Sequence, residues 1–272
     1  MHYGINVNYL AKKTSFEKAA KAVSQAGFTA LDYTPDCTKD TWEADMNQAL
    51  EIITSAGLSV HQTHAPFNRY NRHGEHHRVR VQRALQATKV SNAKYMVVHG
   101  DEFDFENIEY TPQKALEYNY ELFAPFVEEA AASNIKIAFE TVFEDSNRPR
   151  FCSQADDLQA LIERFHSDTV CCCWDFGHAG VSFKDEQPQK ILQLGKYIEC
   201  THVHDCGHHS DLHLPPFLGD IKWDACMSAF SQIGYQGNLT FEMVYGEIPD
   251  AFVQAFADYL KKTADLLHAM MV

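Results

Sequence analysis

The sequence predicts a single (β/α)8 barrel, an α/β fold in which eight parallel strands alternate with eight helices. Three observations support this prediction. Short apolar and β-branched runs alternate with amphipathic stretches of helical length, eight such pairs fit within 272 residues, and polar residues follow most of the predicted strands. Barrels of this kind commonly take about 250 residues. We therefore expect residues 1–272 to form one domain.

The eight predicted strands are short runs of mainly apolar residues. They span residues 4–8, 30–33, 58–62, 95–99, 135–140, 170–175, 198–204 and 239–243. The stretches between them have the apolar periodicity of helices that cover a sheet. They span residues 16–26, 42–56, 76–91, 113–133, 155–165, 189–194, 223–233 and 250–268. Strict alternation of strand and helix predicts parallel strands joined by right-handed crossovers.

Several helix boundaries carry recognisable end signals. Ser15 precedes the first helix as an N-cap residue, and Gly27, Gly57 and Gly234 follow helices as C-cap residues. An open, doubly wound sheet is the main alternative fold. Its dinucleotide-binding form would need a glycine-rich turn after the first strand, where residues 6–10 read Asn-Val-Asn-Tyr-Leu. The sequence therefore favours the closed barrel.

Charge and hydropathy exclude some classes of function. The net charge is −14, from 23 Lys and Arg against 37 Asp and Glu. Nucleic acids are held chiefly by basic surface, so this balance argues against a nucleic-acid partner. No apolar run approaches the ~20 residues that cross a bilayer, and the first residues do not resemble a signal peptide. We predict a cytoplasmic protein that has no membrane partner.

Histidine is frequent, with 15 copies, and many of these residues follow predicted strands. The polar residues at the ends of the third to eighth strands are His61 to His64, His99 to Glu102, Glu140, Asp175 to His178, His202 to Asp205 and Glu242. In a barrel these strand ends meet at one mouth, where active sites lie. Imidazole and carboxylate are ligands of zinc, manganese, cobalt and iron. Without a cation, carboxylates this close would repel each other. We therefore predict a metal-dependent enzyme.

This pattern resembles the xylose isomerase-like TIM barrel superfamily, which holds sugar isomerases and epimerases together with endonuclease-four-type apurinic endonucleases. The resemblance spans nearly the whole chain. The segments that carry it are His64-Ala65-Pro66-Phe67, Val98-His99-Gly100, Phe139-Glu140-Thr141, Asp175-Phe176-Gly177-His178, His202-Val203-His204-Asp205, Asp211-Leu212-His213 and Phe241-Glu242.

The resemblance implies a set of metal ligands. In the sugar-converting branch one divalent cation is held by residues that correspond to Glu140, Asp175, His202 and Glu242, with His204 as the alternative to His202. The endonuclease-like branch has a multi-metal centre with further ligands. Their counterparts in this chain are His64, His99, His178, Asp211 and His213. The cofactor implied is one to three ions of zinc, manganese, cobalt or iron.

We expect the enzyme to be an isomerase or epimerase of a sugar, a sugar phosphate or a keto-polyol. The cation would polarise a carbonyl and stabilise the enediolate, while Glu140 and Glu242 remove and return the proton. His178, beside the metal, is expected to orient a hydroxyl group. The expected partner is a small carbohydrate, and a homo-oligomer is possible.

Three residues are predicted to contact the substrate: His64, Trp174 and Arg148. Core packing is the alternative role of Trp174, and a solvated surface position is the alternative for Arg148. Arg69 and Arg150 also follow strands and are further candidates for binding an acidic group.

Two other reactions remain open. A multi-metal phosphoesterase, similar to the apurinic endonucleases, would use metal-activated water as nucleophile. A keto-sugar lyase or inosose dehydratase-like enzyme would share the proton abstraction but expel a leaving group. The acidic charge and the absence of long basic loops argue against a nuclease. The epimerases of free ketoses carry a substrate-binding arginine after the metal-binding histidine, whereas no arginine follows His204 here.

Overall fold

The computed structural model describes residues 2–67, 74–208, 210–244 and 248–272, with the side chains of Lys13, Gly74 and Glu75 excluded. The strands in these ranges are β1 (Tyr3–Asn6), β2 (Ala30–Tyr33), β3 (Ser59–His64), β4 (Tyr95–His99), β5 (Lys136–Glu140), β6 (Val170–Asp175), β7 (Ile198–His202), β8 (Asp205–Gly207), β9 (Ser210–Leu214) and β10 (Leu239–Phe241).

The helices lie between these strands and after the last of them. They are α1 (Phe16–Ala26), α2 (Trp42–Ser55), α3 (Gly74–Val90), α4 (Pro112–Ala132), α5 (Ala155–Phe165), α6 (Phe176–Phe183), α7 (Gln187–Leu194), α8 (Trp223–Gln232) and α9 (Val253–Ala269). Short 3-10 turns cover Leu10–Lys13, Lys184–Glu186, Gly195–Tyr197 and Asp250–Phe252. None of the described helices is long and apolar enough to span a membrane.

Eight of the strands form a parallel sheet in the order β10-β1-β2-β3-β4-β5-β6-β7. The two edges meet through a bridge between Val203 and Phe241. Val203 N donates to Thr240 O at 2.7 Å, and Glu242 N donates to Val203 O at 3.3 Å. The sheet therefore curls into a nearly closed barrel, and the predicted (β/α)8 fold is confirmed.

The barrel interior has an apolar layer directly below the polar residues of its mouth. Side chains two positions apart on a strand point to the same face. The inward face of β4 carries Tyr95, Val97 and then His99, and that of β6 carries Cys171, Cys173 and then Asp175. The inward residues below the mouth, with Ala138 and Cys200, form a small buried cluster. Strands β4 and β6 thus change from apolar to polar at their last inward position.

Helix α6 is an element that the sequence did not predict. Its sequence, Phe-Gly-His-Ala-Gly-Val-Ser-Phe, contains two glycines, which are poor helix formers. The helix begins directly after β6 because Asp175 caps it, with Oδ1 accepting a hydrogen bond from His178 N at 2.7 Å. Asp175 therefore holds the start of α6 with one oxygen and faces the barrel mouth with the other.

The antiparallel pair β8–β9 was also not predicted. The seventh strand was predicted to span residues 198–204, but β7 ends at His202 and the pair begins at Asp205. Asp205 accounts for the change of direction. Its carboxylate accepts hydrogen bonds from the backbone N–H groups of Phe217 and Ile221 and from Trp223 Nε1, at 3.0, 3.1 and 2.8 Å. The hairpin turns back over the barrel mouth and brings Asp211 to it.

Candidate metal centre

Four side chains meet at the barrel mouth, and we call them the central group. They come from the ends of β5, β6 and β7 and from the residue after β10: Glu140, Asp175, His202 and Glu242. One ligand atom of each lies within 4.8 Å of the others. His202 Nδ1 is 3.0 Å from Glu140 Oε1, 3.7 Å from Asp175 Oδ2 and 3.5 Å from Glu242 Oε2. One imidazole among three carboxylates is a suitable ligand set for zinc or manganese.

Glu140 also belongs to a second group, with His64 and His99. His64 Nε2 and His99 Nε2 lie 2.9 Å and 3.2 Å from Glu140 Oε2. Burial alone would raise the pKa of Glu140, but the imidazoles of His202 and His99 hold that pKa well below its ordinary value. Glu140 is therefore an ionised, buried carboxylate that the second group shares with the central group.

The third group consists of His178, His204, Asp211 and His213. His178 Nε2 and His213 Nε2 lie 3.4 Å and 3.3 Å from Asp211 Oδ2. The rings of His204 and His213 stack with their centroids 3.9 Å apart. Burial lowers the pKa of His213, but its hydrogen bond with Asp211 and the charge of Glu242 raise the pKa to about 9. His213 is therefore an imidazolium beside the carboxylate of Asp211 near neutral pH.

His204 links the third group to the central group, because its Nε2 lies 2.9 Å from Asp175 Oδ2. Gly177 makes room for this ring, since a Cβ atom at position 177 would lie 2.0 Å from His204 Cε1. From the sequence, His204 is the predicted alternative to His202 in the central group. The structure has His202 in that group and His204 in the third, a membership that sequence analysis did not foresee.

Asp32, which sequence analysis did not single out, lies behind His202. Asp32 Oδ2 is 3.2 Å from His202 Nε2 and 3.4 Å from Asn6 Nδ2. Both Asp32 and His202 are buried. A carboxylate behind a ligating imidazole fixes the ring orientation and raises its basicity. The sequence did contain a signal for Asp32, because a charged residue inside a buried strand is costly unless it is paired.

A cavity of about 360 Å³ opens onto all three groups. Its other wall is formed by residues at and after the ends of β1 and β2, namely Asn6, Asn8, Tyr9, Lys12 and Thr34. The ring of Phe67 lines the cavity and stacks on His99 with centroids 4.4 Å apart. A larger depression, of about 730 Å³, lies at the other end of the barrel around Lys136 and Glu199, away from the three groups. The smaller cavity is the candidate substrate site, and its size suits a small molecule.

The residues predicted for the metal site all lie in the three groups, but two predicted substrate contacts lie elsewhere. Trp174 is fully buried and stacks on Phe183 in the core. Arg148 is exposed, with its guanidinium 5.4 Å from the ring centroid of Phe105. Neither residue lines the cavity. Trp174 thus takes its alternative core role, because the inward positions of β6 belong to its neighbours Cys173 and Asp175.

Arg69 and Arg150 were further predicted candidates for binding an acidic group. Arg150 is buried, and its Nε donates to Asp101 Oδ2 at 2.6 Å. It is therefore committed to an internal ion pair. Arg69 lies outside the described residues. Of the three residues predicted to contact substrate, His64 is the one that lines the cavity.

Comparisons with known proteins agree with the barrel fold described above. The family model described as xylose isomerase-like TIM barrel matches residues 20–269. An uncharacterized protein of Sinorhizobium fredii is 27% identical over 252 residues, which cover 81% of this chain and 78% of that protein. Among solved structures, a D-tagatose 3-epimerase-like protein aligns with a TM-score of 0.78 and 19% identity. The alignment covers 99% of this chain and 98% of that protein's chain. The 3-keto-D-glucoside 4-epimerase of E. coli aligns with a TM-score of 0.76 and 15% identity, and the alignment covers 96% of this chain and 99% of the epimerase chain.

Proposed function

The chain belongs to the xylose isomerase-like TIM barrel family, and we propose that it is a metal-dependent isomerase or epimerase of a small sugar or keto-polyol. The observation that carries the proposal is the central group, in which oxygens of Glu140 and Glu242 lie 3.0 Å and 3.5 Å from His202 Nδ1 beside a small cavity. Such reactions move a proton at a carbon next to a carbonyl, and a positioned carboxylate can remove and return that proton.

The donor atoms of the mouth fit a divalent cation. Imidazole nitrogen and carboxylate oxygen are the ligands of zinc and manganese. Among the described residues, His204 Nδ1 and Asp211 Oδ1 are buried without a hydrogen-bond partner and lie 3.9 Å apart. Unpaired buried polar atoms are costly and are commonly satisfied by an ion or water, so these two atoms support an ion or water at the third group, next to the central group. A cation held by the central group would polarise the substrate carbonyl and stabilise the enediolate left by proton removal.

Glu242 is better suited than Glu140 to transfer the proton. The Glu242 side chain is 17% exposed and lines the cavity. The Glu140 side chain is 1% exposed and lies within 3.3 Å of nitrogens of His64, His99 and His178. Glu140 also lines the cavity, but the surrounding imidazoles hold its charge and position, whereas the more exposed carboxylate of Glu242 can exchange a proton with a ligand there. We therefore assign Glu242 as the principal base and Glu140 as its partner.

His178 is suited to orient a hydroxyl group of the substrate. Its Nδ1–H donates to Thr141 O at 2.9 Å, which turns Nε2 towards Asp211. Burial lowers the pKa of His178, but the charge of Asp175 and the hydrogen bond with Asp211 raise it well above the ordinary value. The ring can therefore donate a hydrogen bond from Nε2 at the edge of the cavity.

The similar proteins support a carbohydrate substrate. The two solved structures described above are named as an epimerase and an epimerase-like protein. No arginine follows Arg164 in this chain. Because the ketose epimerases it resembles use an arginine after the metal-binding histidine, we expect other residues to bind the far end of the substrate.

A second candidate function is a multi-metal hydrolase of phosphate esters. The specific observation that favours it is the presence of three ligand groups instead of one, with Glu140 shared between two of them. Several ions held close together can activate water and neutralise a phosphate. If the protein is a hydrolase, the small cavity favours a small phosphate ester over a polymeric substrate.

Proton exchange with solvent, combined with a metal count, tests both candidates. Protein loaded with manganese or zinc is incubated in deuterated water with a panel of keto sugars, and deuterium at the carbon next to the carbonyl is followed by NMR. We expect metal-dependent incorporation of deuterium and one tightly bound ion per chain. Incorporation together with loss of water would identify a lyase. No incorporation, two or three tight ions and hydrolysis of phosphate monoesters would reject the isomerase in favour of the hydrolase.

A further inference from the structure

We infer that one wall of the cavity binds an anionic group, so that the substrate is an acidic sugar derivative with a carboxylate or a phosphate. This inference rests on the proposed function, because it concerns the substrate of the same cavity. We call this surface the β1–β2 wall, and it consists of Asn6, Asn8, Tyr9, Lys12 and Thr34.

Lys12 is the residue that gives the β1–β2 wall its charge. Among the described residues that line the cavity, it is the only lysine or arginine, whereas Glu140, Asp211 and Glu242 line the same space. Its Nζ lies 3.8 Å from the ring centroid of Tyr9. A lysine ammonium has three N–H donors. Its contact with the face of an aromatic ring is weaker than a hydrogen bond to an oxygen acceptor. The ammonium is therefore available to an anionic oxygen in the cavity.

The polar side chains around Lys12 are already used to build the wall. Asn8 N donates to Asn6 Oδ1 at 3.0 Å, and Asn8 Nδ2 donates to Thr34 O at 3.3 Å. Asn6 Nδ2 lies 3.4 Å from Thr34 Oγ1. The backbone of the following turn is held by Lys12 N, which donates to Tyr9 O at 3.2 Å. These bonds fix the backbone that carries Lys12, so its ammonium emerges from an ordered surface.

The barrel topology sets the position of the β1–β2 wall relative to the carboxylates of the cavity. Strand β1 is four strands away from β5 around the barrel, so the β1–β2 wall faces Glu140 across the mouth. The cavity, of about 360 Å³, is small enough for one ligand to touch both sides. A substrate with its carbonyl at the central group would then place its other end near Lys12. An anion at that end would gain a cationic partner and lie across the cavity from Glu140, and Lys12 would offset the charge of Glu242, which follows the strand paired with β1.

Binding measurements on a lysine variant and a matched control test this inference. Lys12→Met removes the charge, and Lys12→Arg keeps it. Lys196→Met is the control, because Lys196 is also exposed and lies over a tyrosine ring, with Nζ 4.6 Å from the centroid of Tyr197, but at the other end of the barrel. Titration calorimetry of the metal-loaded protein uses three probes, fructose, a fructose monophosphate and a keto-gluconate, and so distinguishes phosphate from carboxylate.

We expect at least one acidic probe to bind more tightly than fructose by roughly tenfold or more, in line with a charge-assisted hydrogen bond. Lys12→Met should remove this preference, while Lys12→Arg and Lys196→Met should keep it. The preference should also weaken as salt is added. Equal binding of neutral and acidic probes, binding of none of them, or an unchanged preference in Lys12→Met would overturn the inference.

The result can be separated from the outcome for the proposed function. An acid preference that depends on Lys12, in a protein that exchanges no substrate proton, would support the anion site and reject the isomerase. Proton exchange on neutral sugars, together with equal binding of the neutral and acidic probes, would support the isomerase and reject the anion site.

Discussion

Replacing Glu242 by Gln is expected to lower the rate of substrate proton exchange roughly 10²–10⁴-fold, the usual contribution of a general base. The amide has nearly the same shape as the carboxylate but cannot accept the proton. Glu242 lines the cavity, and its Oε2 lies 3.5 Å from His202 Nδ1. Because the side chain is 17% exposed and the change is nearly isosteric, the thermal unfolding temperature should change little. The measurement is deuterium incorporation by NMR, with metal content determined on the same sample.

Glu199→Gln is the matched control for this experiment. Glu199 is also a partly exposed glutamate, with its side chain 28% exposed, but it pairs with Lys136 at the other end of the barrel. The control should exchange protons at the wild-type rate. If Glu242→Gln keeps its metal and also retains full exchange activity, the assignment of Glu242 as the base is wrong. If it loses its metal and its activity together, Glu242 acts first as a ligand.

Removing the metal should lower the free energy of unfolding by about 4 kcal/mol, relative to protein with free metal at about a thousand times its dissociation constant. The stability lost on metal removal should increase as the pH rises. Burial lowers the pKa values of His202 and His213, but neighbouring carboxylates raise both, that of His213 to about 9. In metal-free protein these imidazolium–carboxylate contacts stabilise the fold below pH about 6.5, and this contribution is lost as the pH rises towards about 9.

A cation needs the neutral imidazole, so its binding releases protons and strengthens over the same pH range. Chelation should therefore destabilise the protein more at about pH 8.5 than at about pH 6. Urea unfolding with and without chelator measures the difference. Asp175→Asn is the control, because asparagine can still cap α6 but lacks the ligand charge. Its stability should not respond to chelator. Equal stability of wild-type protein with and without metal at both pH values would contradict the prediction.

The barrel itself could be predicted because its signal repeats along the chain. Eight apolar runs alternate with amphipathic stretches, and the polar residues that interrupt this pattern fall at strand ends. The missed elements depend on single interactions. Helix α6 begins where Asp175 caps two glycine-containing turns, and the β8–β9 hairpin is held by the three hydrogen bonds of Asp205. The cap of α6 is a local contact, but it begins a glycine-containing stretch of low helix propensity, and the partners of Asp205 lie 12 to 18 residues further along the chain.

The metal groups of the candidate site could be predicted from the sequence better than the residues that line the rest of its cavity. Residues of the metal groups were found because imidazole and carboxylate are unusual at the ends of buried strands. The grouping of His204 could not be read from the chain, since it depends on how a ring packs against Gly177. Lys12 was missed because a lysine in a polar loop resembles any surface lysine until the cavity beside it is visible. Trp174 was predicted to contact substrate, but it faces the core because inward and outward positions alternate along β6.

Anomalous diffraction from crystals loaded with manganese or zinc would test the central claim most directly. We predict an anomalous peak among Glu140, Asp175, His202 and Glu242, with oxygen and nitrogen ligands about 2.0–2.2 Å from the ion. Further peaks at the second and third groups would show additional ions and would not contradict this prediction. A map without a peak among these four residues, from protein that binds the metal in solution, would contradict the account.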